Sequence, residues 1–438
     1  MIKLPREILK IVNTLEQNGF KAYSVGGCVR DSIAGKQPLD WDLATSAKAE
    51  DVVKLFPEAK ILNEKLSVVR IEYITEYSDE DGNVYEDGII VDIATFRKEG
   101  EYQAGKPVEV EFVENVEEDL PRRDFTVNAI ADSPGRGIVD PYNGREDIKK
   151  KLIRTIGDAD KSFVEDPIRM LRAITVCAES DFDLEKETFD AICKNHELLY
   201  DLDIKKIRNA YIRILAGEYA GKGLNMLVAT GAMGAILTDE VFKKFTARER
   251  KDITAVCNNI DKLHRVPERR MGTIFTCLRR KKAITAIRHL EFEGELEQHM
   301  IDCATQMEQL YFVNNELEMK KKLLELGQDR YDFINNVAKA QRIIFDLGEH
   351  KIMARNHFLT EIKSKHEPIF VEDLAIDAND LIEAGIATDE TVDTMLYKLA
   401  QHVHKNPKQN NRRDLLKRAK TYKRSKLIAA TSGINWWR

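Results

Sequence analysis

The spacing of apolar residues changes along the chain and predicts a mixed sheet-and-helix region at the start. Apolar positions within 8–15 recur at helical intervals, as expected for an amphipathic helix that packs on a sheet. A short apolar run at 22–25, an alternating run at 68–74 and an apolar run at 89–96 predict strands. Residues 76–88 are acidic, and their Asp-Gly-Asn at 81–83 is typical of a hairpin turn, so a solvated loop is expected there.

The pattern becomes continuously helical from about residue 145 onward. The chain has 438 residues, which is too long for one compact core, so two to four domains are expected.

Two glycines lie where the first strand signal ends and a helix signal begins. Gly26-Gly27 follow the run at 22–25, and residues 28–34 predict the first turns of a helix. Glycine lets the backbone approach a ligand without a Cβ clash. The free N–H groups of a helix start suit a phosphate, and Arg30 would add a fixed cation.

An Asp-x-Asp pattern follows this junction. Asp40 and Asp42 would project from the same face of a strand, because residues two apart share a face. Two such carboxylates repel each other unless a cation lies between them, and Mg²⁺ accepts carboxylate oxygens together with substrate phosphates. A glycine pair alone is typical of ordinary turns, and Asp-x-Asp alone is typical of a solvated loop. Their combination indicates nucleotidyl transfer.

The combination resembles the signature of the polymerase-β-like nucleotidyltransferases. The longer match, GGCVRD with DWDLATSA, resembles the class II tRNA nucleotidyltransferase and bacterial poly(A) polymerase family, strongly over residues 20–215 and more weakly beyond. The resemblance implies an α+β N-terminal catalytic head with a small mixed β-sheet flanked by helices, followed by all-α neck, body and tail domains. The expected ranges are 1–145 for the nucleotidyltransferase head, 146–237 for the neck with its nucleotide-selecting motif, 238–345 for the body and 346–438 for the tRNA-binding tail.

A third carboxylate, Asp92, interrupts an otherwise apolar strand, where an unpaired charge would be costly. A metal shared with Asp40 and Asp42 would remove that cost, and so would a salt bridge to an arginine such as Arg70 or Arg97. The resemblance favours the metal, because the family has Glu or Asp at the matching place before Thr-Phe-Arg. It implies two-metal phosphoryl transfer, with Mg²⁺ as cofactor and the three aspartates as catalytic, metal-binding residues.

Residues 122–130, RRDFTVNAI, predict a second part of the nucleotide site. Arg122, Arg123 and Asp124 could form a surface ion pair that contributes little. However, the set directly precedes an apolar helical face and resembles the family's RRDFT-x-NA motif, which includes Asn128. The resemblance implies that the arginines and Asp124 hold the phosphates and ribose of an incoming nucleotide. A carboxylate is a suitable acceptor for a 2′-OH and would select ribonucleotides.

A capped helix start supplies the third motif. Pro167 fits the first helical position after an Asp166 cap, and residues three apart share a face, which groups Asp166 with Arg169 and then Arg172. Taken alone, this is also the pattern of a capped helix with a solvated basic side. The family's EDxxRxxR motif selects the nucleotide, and Glu165 completes the match to it.

The functional interpretation of this motif rests on base edges. An aspartate oxygen can accept from the exocyclic amino group of C or A, and an arginine can donate to N3 of C or N1 of A. G and U present the opposite polarity there, and a mismatched buried polar pair is costly.

Residues 96–107 are polar and glycine-containing and predict a mobile loop. In the family this region is a flexible loop that helps the switch to adding A. The sequence departs from the usual Asp-Gly-Arg-Arg-Pro, because residues 103–107 read QAGKP, with one lysine in place of two arginines. Lysine cannot make the planar bidentate contacts of arginine. The loop's presence argues against a CC-only enzyme, and its altered chemistry leaves that question open.

Basic residues concentrate near the end of the chain, with ten Lys or Arg and a single acid between residues 402 and 426. In a protein of net charge −6, this block indicates contact with a phosphate backbone, although a solubilising tail has the same composition. Trp436-Trp437 could stack on bases or dock on the protein. The residues assigned to RNA binding are Arg412, Arg413, Lys417, Arg418, Lys420, Lys423 and Arg424.

The composition also bears on compartment and cofactors. Six cysteines are scattered without a Cys-x-x-Cys, which predicts no zinc and no disulfide framework and fits a reducing cytoplasm. No run of about eighteen apolar residues occurs, so neither a transmembrane helix nor a membrane partner is expected. No oligomer is implied.

The family resemblance carried by these motifs implies a template-independent enzyme that adds C, C and A from CTP and ATP to the 3′ end of tRNA, with Mg²⁺ and release of pyrophosphate. A poly(A) polymerase and a partial CC- or A-adding enzyme are the near alternatives. The loop at 96–107 and a tail-like segment at 368–382 favour tRNA. An RNA-binding protein with a degenerate site is the remote alternative, and retention of all three carboxylates argues against it.

Overall fold

A computed structural model describes residues 2–38, 40–78, 84–103, 105–348 and 350–425. These residues form two compact units. The first runs to Arg250 and takes in Cys257–Pro267 and His289–Glu291, and the second holds Lys251–Val256, Glu268–Arg288 and the described residues from Phe292 onward.

The strands all lie in the first unit. They are β1 Ala22–Val25, β2 Trp41–Thr45, β3 Lys60–Asn63, β4 Val68–Ser78, β5 Val84–Thr95, β6 Arg97–Glu99, β7 Tyr102–Gln103, β8 Lys106–Pro107, β9 Val110–Phe112, β10 Ala131–Ser133, β11 Gly137–Val139, β12 Leu152–Ile153 and β13 Asp183–Leu184. Seven of them form one sheet in the order β11-β10-β1-β2-β5-β4-β3. Within it, β2 and β5 run parallel and the other neighbours run antiparallel, as expected for a mixed sheet.

The helices occupy most of the remaining chain. They are α1 Arg6–Gln17, α2 Gly27–Ile33, α3 Ala49–Leu55, α4 Val116–Asp119, α5 Gly144–Lys150, α6 Ala159–Glu165, α7 Ile168–Ser180, α8 Lys186–Asn195, α9 Ile204–Ala216, α10 Ala220–Thr230, α11 Met233–Leu237, α12 Asp239–Lys243, α13 Ala247–Asn259, α14 Pro267–Phe275, α15 Arg280–His289, α16 Leu296–Leu310, α17 Glu316–Leu326, α18 Gln328–Phe345, α19 His350–Ser364, α20 Ala378–Glu383, α21 Val392–Lys405 and α22 Arg412–Arg424. This order confirms the α+β head followed by helices.

Apolar periodicity explains how the sheet is covered. Of the predicted apolar face of the first helix, Ile8, Ile11, Val12 and Leu15 are buried, whereas Leu9 is exposed. Every residue of β1 is buried, because the sheet is covered on both faces at this strand. Tyr23 and its neighbours on one face join a core cluster that includes Phe96 and Leu120.

Two local expectations were wrong. The acidic stretch at 76–88 is not mainly a loop, because β4 and β5 pair along their length as far as Ser78 and Val84; the predicted turn at 81–83 lies outside the described residues. The residues after Asp124 form no α-helix. They make a short 3₁₀ turn at Thr126–Asn128 and then enter β10, because the sheet pairs that segment with β1.

The second unit contains two hydrophobic clusters within its helices. One includes Leu323, Tyr331 and Ile334, and the other gathers Leu381 and Leu399 with Leu415 of α22. Among the described residues, none of the helices is both long enough and apolar enough to cross a membrane.

Candidate active site

The predicted strand, glycine turn and helix are all present. Gly26 follows β1 with a φ of +76°, a value that favours glycine, and α2 begins at Gly27. A Cβ on Gly26 would lie 3.2 Å from Asp42 Oδ2. The glycine therefore allows the turn to pass directly against the carboxylate of β2.

The sheet brings the predicted carboxylates to one place. Asp42 and Asp92 are register partners on the parallel strands β2 and β5. Asp40 lies in a bend just before β2, so the expectation that both aspartates are on the strand was half wrong. Asp42 stays accessible to solvent, yet burial raises its pKa; Arg123 opposes this shift, and the nearby Asp92 and Asp40 add to it.

Asp92 makes the ion pair that the sequence left open. Arg70, its register partner on β4, donates from Nε and Nη2 to the two carboxylate oxygens at 2.7 and 2.9 Å. Within the described part of the chain, no group of three or more His, Cys, Asp or Glu side chains is arranged to hold a metal ion. The assignment of Asp92 to a metal stays a prediction.

A cavity of about 260 Å³ beside Asp42 gathers residues from all three motifs. The predicted residues that line it are Gly26, Gly27, Asp42, Arg122, Arg123, Asp124, Asn128, Asp166, Arg169 and Arg172. Asp40, Asp92, Arg30 and Glu165 do not line it.

Arg30, predicted as a fixed cation for a phosphate, contacts protein groups. Its guanidinium is buried, pairs with the adjacent Asp31 at 2.8 Å and donates to Asn128 Oδ1 at 2.9 Å. Asn128 in turn donates to Asp124 Oδ1 at 3.0 Å. Arg30 therefore does not line the cavity but holds Asn128, which does.

Asp124 is buried, and its carboxylate is held by several donors. The backbone N–H of Phe125 donates to Oδ1 at 2.9 Å, and Arg172 lies 2.9 Å from Oδ2. Burial alone would raise the pKa of Asp124, but Arg172 and these hydrogen bonds outweigh it and lower the pKa. The carboxylate is thus kept ionised in a fixed orientation.

Both arginines of the second motif are anchored by Asp119, which the sequence analysis missed. Asp119 is fully buried and accepts from Arg122 Nε at 2.9 Å and from Arg123 Nη2 at 3.2 Å. Asp119 precedes Arg122 by three residues and Arg123 by four, and side chains at these spacings are neighbours on a helix. The sequence could therefore have indicated these contacts. Arg123 Nε is buried and has no hydrogen-bond partner, and Nη1 of the same guanidinium lies 3.5 Å from the position of a Cβ on Gly26.

The third motif places a carboxylate and a guanidinium at the other side of the cavity. Asp166 follows α6, and its Oδ1 is buried without a hydrogen-bond partner. Burial raises the pKa of Asp166, whereas Arg169 and Arg172 oppose the shift. Arg169 is buried near the start of α7 and donates to Ser162 Oγ at 2.9 Å. Glu165 does not line the cavity, and its Oε2 lies 3.8 Å from Arg169 Nη1.

The strands after β5 supply cavity residues that the sequence analysis treated only as a mobile loop. Glu99 accepts from Arg97 Nε at 2.7 Å and lies 3.5 Å from Arg122 Nη1, and Tyr102 stacks on Arg169. Arg97 and Glu99 are two residues apart on β6 and therefore lie on the same face of the strand. This spacing could have indicated their contact from the sequence. Gly105 and Pro107 complete this side of the cavity.

Two family models match the chain. Residues 22–154 match the model described as "Poly A polymerase head domain", and residues 181–241 match "Probable RNA and SrmB- binding site of polymerase A". The CCA-adding enzyme of Geobacillus stearothermophilus is 39% identical over 227 residues, which are 52% of this chain and 53% of that protein. The CCA-adding enzyme of Bacillus cytotoxicus is 41% identical over 221 residues, which are 50% and 52%. The chain thus matches about half the length of these curated relatives.

Solved structures extend the likeness beyond that half. The crystal structure of Bacillus stearothermophilus CCA-adding enzyme in complex with CTP aligns with a TM-score of 0.74 and 26% identity, over 96% of this chain and 98% of that one. The chain is thus similar to CCA-adding enzymes and poly(A) polymerases, in sequence over about its first half and in fold over nearly its whole length. Thermotoga maritima CCA-adding enzyme complexed with tRNA shares the fold with a TM-score of 0.57 at 18% identity, over 94% and 95%.

The basic end of the chain forms helix α22 in the second unit. Leu415 and Ala419 bury one side of the helix. Three predicted RNA-binding residues contact the unit itself: Arg412 lies 2.7 Å from Asp380, Arg418 donates to His402, and Lys423 donates to the Gly385 carbonyl.

The other four predicted residues share the exposed side of α22. They are Arg413, Lys417, Lys420 and Arg424, and their spacing of four, three and four residues places them on one face. Trp436 and Trp437 lie outside the described residues.

Proposed function

We propose that this chain is a template-independent nucleotidyltransferase that adds C, C and A, from CTP and ATP, to the 3′ end of tRNA. The observation that carries the proposal is the cavity shared by Asp42, Arg123, Asp166 and Arg169. It offers a carboxylate beside a glycine turn at one side and a carboxylate–guanidinium pair at the other. The glycine turn, together with a metal ion held by the carboxylate, would bind the phosphates of a nucleoside triphosphate, and the pair would bind its base.

Base choice would depend on Asp166 and Arg169. The buried, unpartnered Oδ1 of Asp166 can accept from the amino group of C or A, and an N–H of Arg169 can donate to the neighbouring ring nitrogen. A carbonyl of G or U in the same place would face a carboxylate, and both protein groups would lose their partners. The pair thereby selects two bases without a nucleic-acid template.

The second motif would bind the sugar and the phosphates. The Nη1 group of Arg123 lies close to Gly26, where a phosphate oxygen can accept from it. Asp124 is ionised and fixed, which suits acceptance from a ribose hydroxyl. Arg172 is 56% exposed at its contact with Asp124 and also lines the cavity, so it lies where it can contact a bound nucleotide.

The carboxylates fit a divalent ion such as Mg²⁺. Asp42 sits close enough to Asp40 and Asp92 for their charges to raise its pKa, and an intervening cation would relieve that repulsion. Mg²⁺ typically takes one or two carboxylates and completes its coordination with phosphates and water, so three preassembled protein ligands are not required. Asp40 and Asp42 would hold it, with Asp92 joining once released from Arg70. When bound, the metal would activate the RNA 3′-OH and neutralise the triphosphate.

The relatives and the basic helix support tRNA as the acceptor. Matched proteins are CCA-adding enzymes, and solved structures of such enzymes contain CTP, ATP or tRNA. The exposed row on α22 presents four cations to one side, as a phosphate backbone requires. The six free cysteines support a reducing cytoplasm as the compartment.

The test is incubation of tRNA lacking its CCA end with each NTP and Mg²⁺, with products resolved at single-nucleotide length. The expected result is addition of C, C and A followed by arrest. Long A tracts would replace the proposal with poly(A) polymerase, the second candidate, which the descriptions of both matching family models favour. Arrest after two C residues, or addition of A only to a CC end, would identify a partial enzyme, and no transfer would contradict the proposal.

A further inference from the structure

The segment after β5 folds against the base-selecting pair rather than away from it. Strands β6 and β9 pair with each other, and the short strands β7 and β8 form a hairpin between them. Tyr102 opens this hairpin and Gly105 lies at its turn, and both line the cavity with Asp166 and Arg169. The hairpin therefore places one residue on each member of the pair.

Tyr102 contacts Arg169 through both its ring and its hydroxyl. The guanidinium carbon lies 5.5 Å from the ring centroid, and Nη2 is 3.4 Å from the phenolic oxygen. On its other sides the guanidinium donates to Ser162 Oγ at 2.9 Å and to the Arg122 carbonyl at 3.3 Å. Arg169 is thus held by the Arg122 carbonyl, the Ser162 hydroxyl and the Tyr102 ring. Of these three, Tyr102 is the one that belongs to the hairpin.

Glu99 fixes the tyrosine in turn. The Tyr102 hydroxyl donates to Glu99 Oε2, and Glu99 Oε1 accepts from Arg97 Nε at 2.7 Å. The Glu99 side chain is only 6% exposed, so this carboxylate is a rigid anchor. Rotation of the phenol away from Arg169 would break a buried hydrogen bond to a charged group, which is unfavourable.

Gly105 approaches the other member of the pair. Its φ is +70°, and a Cβ placed there would lie 3.0 Å from Asp166 Oδ1, the oxygen that lacks a hydrogen-bond partner. The backbone of the hairpin therefore passes close to the acceptor without a side chain to occupy it. The hairpin constrains Arg169 while leaving Asp166 available.

We propose that Tyr102, anchored by Glu99, is a positioning residue that sets the plane of the Arg169 guanidinium and thereby the enzyme's choice of base. The inference rests on the proposed function of the Asp166–Arg169 pair. A donor that reads a base edge must be held to within a fraction of an ångström, and a stacked ring restricts the guanidinium plane better than a charge pair does. In this chain the aromatic contact from Tyr102 supplies that constraint.

The test measures equilibrium affinity for CTP, ATP, UTP and GTP in the full chain, by calorimetric titration, for Tyr102→Leu and Tyr102→Phe. Loss of the ring is expected to reduce the preference for CTP over UTP about tenfold, since a partly desolvated cation–π contact has that effect on an equilibrium. Tyr102→Phe keeps the ring but loses the hydrogen bond to Glu99, so its preference should lie between those of the wild type and Tyr102→Leu. Tyr142→Leu removes a half-buried tyrosine outside this cavity and serves as the matched control, with no expected change in preference.

A double-mutant comparison separates positioning from a general loss of structure. In an Arg169→Lys background, Tyr102→Leu should change base preference little, because the planar group it orients is gone. Equal loss of affinity for all four nucleotides, or additive effects of the two substitutions, would overturn the inference. Because binding is measured without an acceptor, this result stands apart from the tRNA transfer assay that judges the proposed function.

Discussion

At the scale of single residues, the cavity contains carboxylates in two different states. Asp42 and Asp166 have pKa values above the usual range for aspartate, because burial disfavours their charge and their neighbours do not fully compensate it. Asp119 and Asp124 experience burial as well, but adjacent arginines hold their pKa values below that range. Arginines pair closely with Asp119 and Asp124, whereas the buried Oδ1 of Asp166 has no hydrogen-bond partner.

Replacing Asp42 should remove catalysis and spare RNA binding. Asp42→Asn keeps the shape of the side chain but removes the charge that would hold a metal. We expect kcat to fall about a thousandfold or more, as loss of several kcal/mol of transition-state stabilisation implies. Transfer is measured with radiolabelled CTP and tRNA binding by filter retention. Asp51→Asn, on the exposed side of α3, is the control, and persistent transfer by Asp42→Asn would contradict the metal assignment.

Replacing Asp166 should change which nucleotide is used rather than whether one is used. Asp166→Ala removes the acceptor for the amino group of C and A, so discrimination against U and G should weaken roughly tenfold to a hundredfold, equivalent to about 1–3 kcal/mol. Competition between CTP and UTP in a single reaction measures the ratio. Asp160→Ala, on the exposed side of the same helix α6, should leave it unchanged, and intact selectivity in Asp166→Ala would refute the base-edge argument.

At the scale of elements, one pair of strands and one helix determine most of the functional geometry. The parallel pairing of β2 with β5 puts Asp42 beside Asp92, although the two residues are fifty positions apart in the chain. Helix α22 buries Leu415 and Ala419, and this packing turns the row from Arg413 to Arg424 outward.

The exposed row of α22 should contribute sequence-independent RNA affinity. Removing Lys417 and Lys420 together (Lys417→Gln, Lys420→Gln) should lower the slope of log affinity against log salt by about 1.4–1.8, because each phosphate contact contributes about 0.7–0.9. Arg412→Gln with Lys423→Gln removes the same charge from the same helix, at positions that contact Asp380 and Gly385, and should change the slope less. Equal slopes for the two double variants would count against the row as the RNA contact.

At the scale of the whole molecule, the chain consists of two units with separate cores, and each is expected to respond to conditions in its own way. The nucleotide cavity lies entirely in the first unit. The second holds α22 and a buried histidine, His404, whose Nε2 lies 2.8 Å from the Ile369 carbonyl. The ranges predicted for head, neck, body and tail remain predictions within this two-unit division.

The second unit should lose stability in mild acid through His404. Burial lowers its pKa below the ordinary value of 6.5; the Ile369 contact opposes that shift, while Lys320 and Lys321 add to it. The unfolded chain therefore takes up a proton that the folded chain excludes, and stability present above pH 6.5 is lost as the pH falls, by up to about 1.4 kcal/mol per pH unit. Thermal melting from pH 7 to pH 5 should show a flatter profile for His404→Gln, and His357→Gln, an exposed change in the same unit, should follow the wild type.

The sequence was sufficient to predict local structure wherever a short stretch carried its own signal. The apolar face of α1, the turn at Gly26 and the start of α7 after Pro167 were each predictable, because periodicity and chain stereochemistry act over a few residues. The extension of β4 and β5 into the acidic stretch was not, since polar residues in a paired ladder look like a loop until the partner strand is known.

What the sequence by itself determined is the identity of the chemical groups: the glycine turn, the aspartates, the arginine motifs and the basic tail. Only the tertiary structure decided what each of them contacts. In the folded chain Asp92 pairs with Arg70, and Arg30 donates to Asn128. Tyr102 contacts Arg169, which lies sixty-seven positions later in the sequence. The reason is physical: these contacts join distant segments, and their geometry depends on strand order and helix packing, which no local pattern of residues specifies.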